Sequence, residues 1–180
     1  MSKGLATQPV RSITSQKRFE IYDRQYWDQV KGDHLPAGVD YVVFDGAVKS
    51  GPKQSVIWLQ RALGSLYEGR IDGVMGLRTI AAAVQSRNND DALIDRICDQ
   101  RLAFLPHLKT WSTSGRGWGA RVAEVRSIGQ AWSTRETPQA ANFIAGGQAK
   151  AFIEDARSVP AAALGDAAAC WRARHIRLPV

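Results

Sequence analysis

The sequence predicts a mainly α protein, on three observations. Apolar residues recur at helical spacing, as in Phe19, Tyr22, Tyr26 and Val30, which share one helical face. No alternating apolar–polar pattern persists, so strands are at most two short ones beside loops. Proline and glycine fall where helices would start and stop, at Ser50-Gly51-Pro52 and again at Gly64.

Each element follows from local chemistry. Residues 1–13 read as a lead-in. Thr14 is a natural N-cap for the first helix, which Lys31-Gly32-Asp33 ends. Pro36 suits the first turn of the next helix, where its missing N–H costs nothing. That helix runs through Val39, Val42, Val43 and Ala47 to Gly51, a natural C′ residue. Pro52 opens a third helix with Val56, Leu59 and Leu63 on one face, closed by Gly64. The stretch 65–76 is a loop turning at Asp72-Gly73, because positive φ is cheap only for glycine. A short helix over 77–84 follows, then a polar break at Asn88-Asn89-Asp90-Asp91. Leu93, Ile94, Ile97, Cys98 and Leu102 predict an amphipathic helix over 92–105. Thr110 to Trp118 reads as a second glycine loop, rich in aromatics, before a last core helix with Val122, Val125, Ile128 and Trp132. Residues 133–180 read as a polar linker and an Ala-rich tail whose fold the pattern leaves open.

Composition bounds the function. A chain of 180 residues, 44% apolar, fits one domain with a short appendage and a sizeable core. No run approaches the length of a membrane span, and the first residues lack the apolar stretch of a secretory signal peptide. The expectation is synthesis in the cytoplasm without a signal peptide. Net charge is +7 and uneven: residues 1–100 carry 13 basic and 12 acidic side chains, residues 101–180 carry 11 and 5. A basic second half suits an anionic polymer, whether nucleic acid, a lipid surface or cell-wall glycan with its carboxylates and phosphates; it also serves solubility alone. Two cysteines, Cys98 and Cys170, and three histidines give no metal-ligand spacing, so no metal or cofactor is expected. Cys98 reads as a small buried hydrophobe.

Two sets of residues carry a family resemblance. Leu59-Gln60, Leu63-Gly64, Ile71-Asp72-Gly73, Gly76, Thr79 and Ala82 resemble the peptidoglycan-binding helix-loop-helix motif of wall hydrolases. Tyr26-Trp27-Asp28, Leu35-Pro36-Ala37-Gly38-Val39, Phe44-Asp45, Ser50-Gly51, Arg101-Leu102-Ala103-Phe104, Thr110-Trp111 and Gly115-Arg116-Gly117-Trp118 extend the likeness. Together they resemble glycoside hydrolase family 108, from about residue 10 to residue 132. The resemblance implies an N-acetylmuramidase-type protein with a lysozyme-like helical domain over 14–132 and a peptidoglycan-binding C-terminal part. Phage lysis enzymes and secretion-associated wall hydrolases belong to that family. Its catalytic glutamate lies in a Glu-Gly-Gly segment that nothing in these residues matches, and Lys49 stands where the family carries Asn. The implied fold is therefore a mainly α, lysozyme-like domain lacking its N-terminal catalytic helix.

Glycosidic cleavage needs a carboxylic acid whose surroundings raise its pKa, usually with a second carboxylate or a positioned water. The glutamates are Glu20, Glu68, Glu124, Glu136 and Glu154. Glu20 reads as solvated, Glu124 as a partner of Arg121 at i−3, and Glu68 as the one beside a cleft. Whether any enzyme activity remains is thus left open, and the catalytic residue is unassigned. Candidate substrate-binding residues are Asp45, Lys49, Ser50, Gly51, Asp72, Trp111, Arg116 and Trp118. Asp45 otherwise pairs with an arginine such as Arg101, and Asp72 otherwise holds its own turn. Trp111 and Trp118 would offer aromatic faces to sugar rings, whereas Trp27 and Trp58 read as core. Arg116 would meet a carboxylate or phosphate. The expected partner is peptidoglycan glycan strands, with action in the periplasm or cell wall. The readings are a truncated or remnant muramidase that recognises peptidoglycan, an active muramidase where the catalytic segment is present, and, last, a basic nucleic-acid binder. No nucleic acid is expected, because the basic residues form no single stripe.

Overall fold

The computed structural model of the chain describes residues 14–133. The lead-in over 1–13 and the linker and tail lie outside them, except for Ser133, which ends the last helix. Among the described residues every regular element is helical.

Helix α1 (Ser15–Tyr22) is capped by Thr14, whose Oγ1 accepts the Lys17 N–H at 3.2 Å. The chain continues through a π turn (Asp23–Trp27) into the short α2 (Asp28–Val30). The wide turn comes where Trp27 turns inward, 1% exposed, edge-on to Phe44 at 5.3 Å. Its indole N–H donates to Asp33 Oδ1 at 3.1 Å.

The central helix, α3 (Val39–Ser50), starts later than the proline predicts. Gly38 is its N-cap, at φ 79°, and the Pro36 carbonyl accepts the Asp40 N–H, so Pro36 precedes the helix rather than opening it. Every residue from Val39 to Ala47 is buried. A helix buried on all faces must be surrounded, and α3 is packed by α4, α6 and α7. At Gly51 the backbone reaches φ 87°, a left-handed value that suits glycine, and Pro52 starts α4 (Pro52–Leu63) at once. The α3–α4 hairpin is close: the Ser55 hydroxyl donates to the Val43 carbonyl at 2.6 Å. Trp58 and Leu59 of α4, both fully buried, bring about 1.5–3 kcal/mol each from burial alone.

A 3-10 turn (Gly64–Leu66) and a loop lead to α5 (Leu77–Gln85), then α6 (Asp90–Phe104), a 3-10 turn (Leu105–His107) and α7 (Trp111–Ser133). The second predicted glycine loop is not a loop. Trp111 to Trp118 form the first two turns of α7. A Cβ at Gly115 would lie 2.7 Å from the Trp111 ring, so this glycine makes room for the indole one turn before it rather than breaking the helix.

Helix α7 meets the start of α3 at two glycines, Gly129 on α7 and Gly38 at the N-cap of α3. A Cβ at Gly38 would stand 2.2 Å from the Gly129 carbonyl oxygen, and one at Gly129 would stand 2.7 Å from Val42 Cγ2. Cys98 is fully buried in the core, as its pattern predicts. Burial pushes its thiol up to about 11.

Candidate functional site

Three constructions hold the predicted site residues, two polar ones on α3 and α4 and an aromatic one on α7. The first is buried. Asp45 is 0% exposed, and both its oxygens are taken. Arg101 Nη1 donates to Oδ2 at 2.7 Å; Arg121 Nη2 and Nε donate to Oδ1 at 2.7 and 3.2 Å. Arg121 also holds Glu124 at 3.1 Å, its predicted i+3 partner. Burial opposes the Arg121 charge, but the Asp45 charge and hydrogen bonds, with Tyr41 and Glu124 behind them, together outweigh it and raise the pKa. Burial, then the Asp45 charge, pushes the neighbouring Tyr41 phenol up as well. Asp45 therefore ties α3 to α6 and α7 and offers no oxygen to a sugar. The arginine pairing is the role that it fills; placement in the substrate-binding set is corrected.

The second construction fixes the loop after α4. Gln60 is 1% exposed, and its amide faces the loop. Its Oε1 accepts the N–H groups of Asp72 and Gly73 at 3.1 and 2.9 Å. Its Nε2 hydrogens are shared among Tyr67 Oη, Asp72 Oδ1, the Val74 carbonyl and Thr79 Oγ1, at 3.1–3.3 Å. Asp72 Oδ1 also accepts the Val74 N–H at 2.9 Å, the Asx turn its Asp-Gly pair predicts. These bonds hold its carboxyl below the ordinary 3.8, the Val74 N–H first and the Gln60 amide second. Gly73, at φ 74°, rests on the first turns of α4: a Cβ there would meet Lys53 Cγ at 2.6 Å and Ile57 Cγ1 at 3.1 Å. The loop is thereby folded back along α4, with Gly73 on its first turns and Asp72 beside Gln60.

The third construction is an aromatic pair on α7. The Trp111 and Trp118 rings lie two helical turns apart with centroids 6.3 Å apart, both half-buried against the core. Arg116 between them is exposed, as is Lys49 at the end of α3. Helices α3 and α7 run antiparallel: Tyr41 stacks near Trp132 at 4.6 Å, Val42 meets Gly129, and Asp45 meets Arg121. Continued, this register carries Lys49, Ser50 and Gly51 and the Trp111–Trp118 turns to the same end of the bundle. Of the eight predicted binding residues, Asp45 stays inside, bonded to Arg101 and Arg121.

No described glutamate is placed as a general acid. Lys17 bonds Glu20 at 3.0 Å and holds its pKa down, Glu124 is paired with Arg121, and Glu68 is exposed. Sequence reasoning missed Gln60 as an organiser and Arg121 as a second partner of Asp45. The signal for Gln60 was present: a helical glutamine twelve residues before an Asp-Gly turn.

A helical bundle with a buried central helix, a Gly-Pro corner and a glutamine-pinned Asp-Gly loop defines a mainly α, lysozyme-like, peptidoglycan-binding fold. Residues 1–51 match the family described as Glycosyl hydrolase 108, and residues 54–151 match Predicted Peptidoglycan domain. A solved structure from Brucella abortus, SagA, is 42% identical with a TM-score of 0.64, over 72% of this chain and 71% of that one. No curated protein matches. The chain belongs to the glycosyl hydrolase 108 family with its predicted peptidoglycan domain. That membership gives it a cell-wall-related, muramidase-like role with peptidoglycan as ligand. No described helix is long and apolar enough to cross a membrane.

Proposed function

We propose that this protein recognises peptidoglycan glycan strands at the bundle end that carries Lys49, Ser50, Gly51, Asp72, Trp111, Arg116 and Trp118. The observation that supports the reading is the antiparallel register of α3 and α7, which directs the corner and the aromatic pair to one end. Aromatic faces suit the apolar faces of sugar rings. The exposed Lys49 and Arg116 suit wall carboxylates and phosphates, Arg116 as a two-pronged donor. Asp72 keeps Oδ2 without a bond among the described residues, an acceptor for a sugar hydroxyl. Recognition without turnover is the primary reading, because no described glutamate has the surroundings of a general acid.

The test is co-sedimentation of the 180-residue protein with purified sacculi, with release of reducing ends followed in parallel. The expected outcome is sedimentation without release of reducing ends. The pair Trp111→Ala with Trp118→Ala should weaken sedimentation about tenfold, the loss expected for two stacking faces. Failure of the unaltered protein to sediment would remove the proposal. Catalytic release of reducing ends would replace recognition with hydrolysis. A second reading is favoured by the glycosyl hydrolase 108 match over residues 1–51: muramidase activity in a form of the protein that carries the acid-bearing segment. Adding a Glu-Gly-Gly-bearing helix upstream and assaying reducing ends tests it.

A further inference from the structure

A separate cleft of about 560 Å³ opens between the turn after α4 and the outer face of α5, away from the aromatic pair. Its walls include Leu66, Tyr67 and Glu68 on one side and Arg78, Ala82 and Gln85 on the other. The buried Ala82, 4% exposed, gives it an apolar lining, and Leu66 at 38% exposed adds an apolar rim.

Two features make it a built site rather than a surface dent. First, both walls are fixed by one buried amide. Gln60 holds Tyr67 through its hydroxyl and α5 through Thr79, and the Tyr67 hydroxyl donates onward to the Arg70 carbonyl at 2.9 Å. The cleft is therefore shaped before any ligand arrives, which lowers the ordering cost of binding. Secondly, its charges are unspent. Glu68 and Arg78 are exposed, opposite in sign, and in no ion pair among the described residues.

We propose that this cleft binds the stem peptide of peptidoglycan at a residue carrying both an ammonium and a carboxylate on an aliphatic chain, such as 2,6-diaminopimelate. Arg78 takes the carboxylate, Glu68 takes the ammonium, and the aliphatic chain lies over Ala82 and Leu66. A ligand with only one charge would leave the other group unanswered, so the cleft discriminates diamino-dicarboxylic stems from lysine stems. This deepens the reading above, on which it rests: the bundle end holds glycan and the cleft reads the peptide.

The test is calorimetric titration of the 180-residue protein with three probes. They are a synthetic tripeptide ending in meso-diaminopimelate, the same tripeptide ending in lysine, both with the main-chain terminal carboxyl amidated so that only the diaminopimelate side chain keeps a carboxylate, and the glycan disaccharide without peptide. The diaminopimelate peptide should bind most tightly. Arg78→Gln should weaken it about tenfold, the loss of one charge-assisted contact, and leave the already weaker lysine peptide within twofold. Glu68→Gln should weaken both peptides, since both carry the ammonium. Neither change should alter disaccharide binding. Both side chains are on the surface, and helical circular dichroism checks that the variants fold. If the unaltered protein sediments with sacculi yet the peptide fails to bind, or binds Arg78→Gln and Glu68→Gln unchanged, the cleft proposal is wrong and glycan recognition stands. If the disaccharide fails to bind while peptide binding stays sensitive to both changes, glycan recognition falls and the cleft still stands.

Discussion

Gln60 and Asp45 lie equally deep, 1% and 0% exposed, yet they organise the molecule in different ways. Gln60 is neutral and local. Its partners are seven to nineteen residues away, and together they make one loop and the start of one helix. Asp45 is charged and long-range, reaching Arg101 and Arg121 across 56 and 76 residues. An amide satisfied on both sides can shape a loop at the protein surface with no net charge to desolvate. A carboxylate between two guanidiniums carries that desolvation cost and holds three helices together once they are assembled. The Gln60 construction serves a surface loop; the Asp45 construction serves the core.

That contrast is most severely tested by removing the charge. Asp45→Asn strips Arg101 of its counter-ion and leaves Arg121 with Glu124 alone, and should cost about 3–5 kcal/mol of global stability. The urea midpoint measures it. In a Cys170→Ser background, Cys98 should label with a thiol reagent only as the core opens, because its buried thiol titrates near 11. Unchanged stability would mean that Asp45 is not the core tie.

Next in size, Gln60→Ala should cost about 1–3 kcal/mol, since buried partners lose their bonds while the loop amides regain water. The effect should be local. Hydrogen exchange at Asp72 and Gly73 should speed up while exchange in α3 and α6 does not. If all helices lose protection together, the two constructions are one cooperative unit and the contrast is mistaken.

A smaller effect belongs to pH. The Asp72 carboxyl titrates below its ordinary 3.8 when folded, so its contribution is complete above pH 3.8 and is lost as pH falls through the depressed folded value. Asp72→Asn keeps an acceptor for the Val74 N–H but cannot titrate. The drop in urea midpoint between pH 5 and pH 3 should therefore be smaller in the variant than in the unaltered protein. An equal drop would show that the turn draws nothing from the ionised form. The smallest change is Glu124→Gln: a half-exposed pair with Arg121 is worth about 0.5 kcal/mol, well below the Asp45 effect on the same arginine.

Much of the frame could be read from residue chemistry. Thr14, Pro52, Gly64 and Asp90 mark helix boundaries because caps, fixed φ and left-handed glycine act within a turn of their own position. The Arg101 partner of Asp45 was among the alternatives, but the second, Arg121, had already been satisfied on paper by Glu124. Periodicity pairs residues along one helix and cannot see across three. Trp111 to Trp118 were misread because glycine usually ends helices, whereas Gly115 lets the Trp111 ring lie against the helix. Gln60 was hidden by its type: a helical glutamine ordinarily faces water. The antiparallel register of α3 on α7 was not legible at all, because it rests on contacts between residues far apart in sequence, such as Tyr41 with Trp132 and Asp45 with Arg121.

The glycine crossing of those two helices has a mechanical consequence. With Gly38 against Gly129, the rods touch backbone to backbone and there is no slack. The Asp45–Arg121 tie then acts as a fulcrum. At 1.5 Å per residue, Gly129 lies about 12 Å to one side of it and Trp111 about 15 Å to the other. A methyl at position 129 would meet Val42 Cγ2 at 2.7 Å, push that end of α7 outward and tilt the rod about the tie, so that its aromatic end swings the other way. The glycine crossing thus works as a shim of zero thickness, setting the angle at which the far end of α7 lies on the bundle.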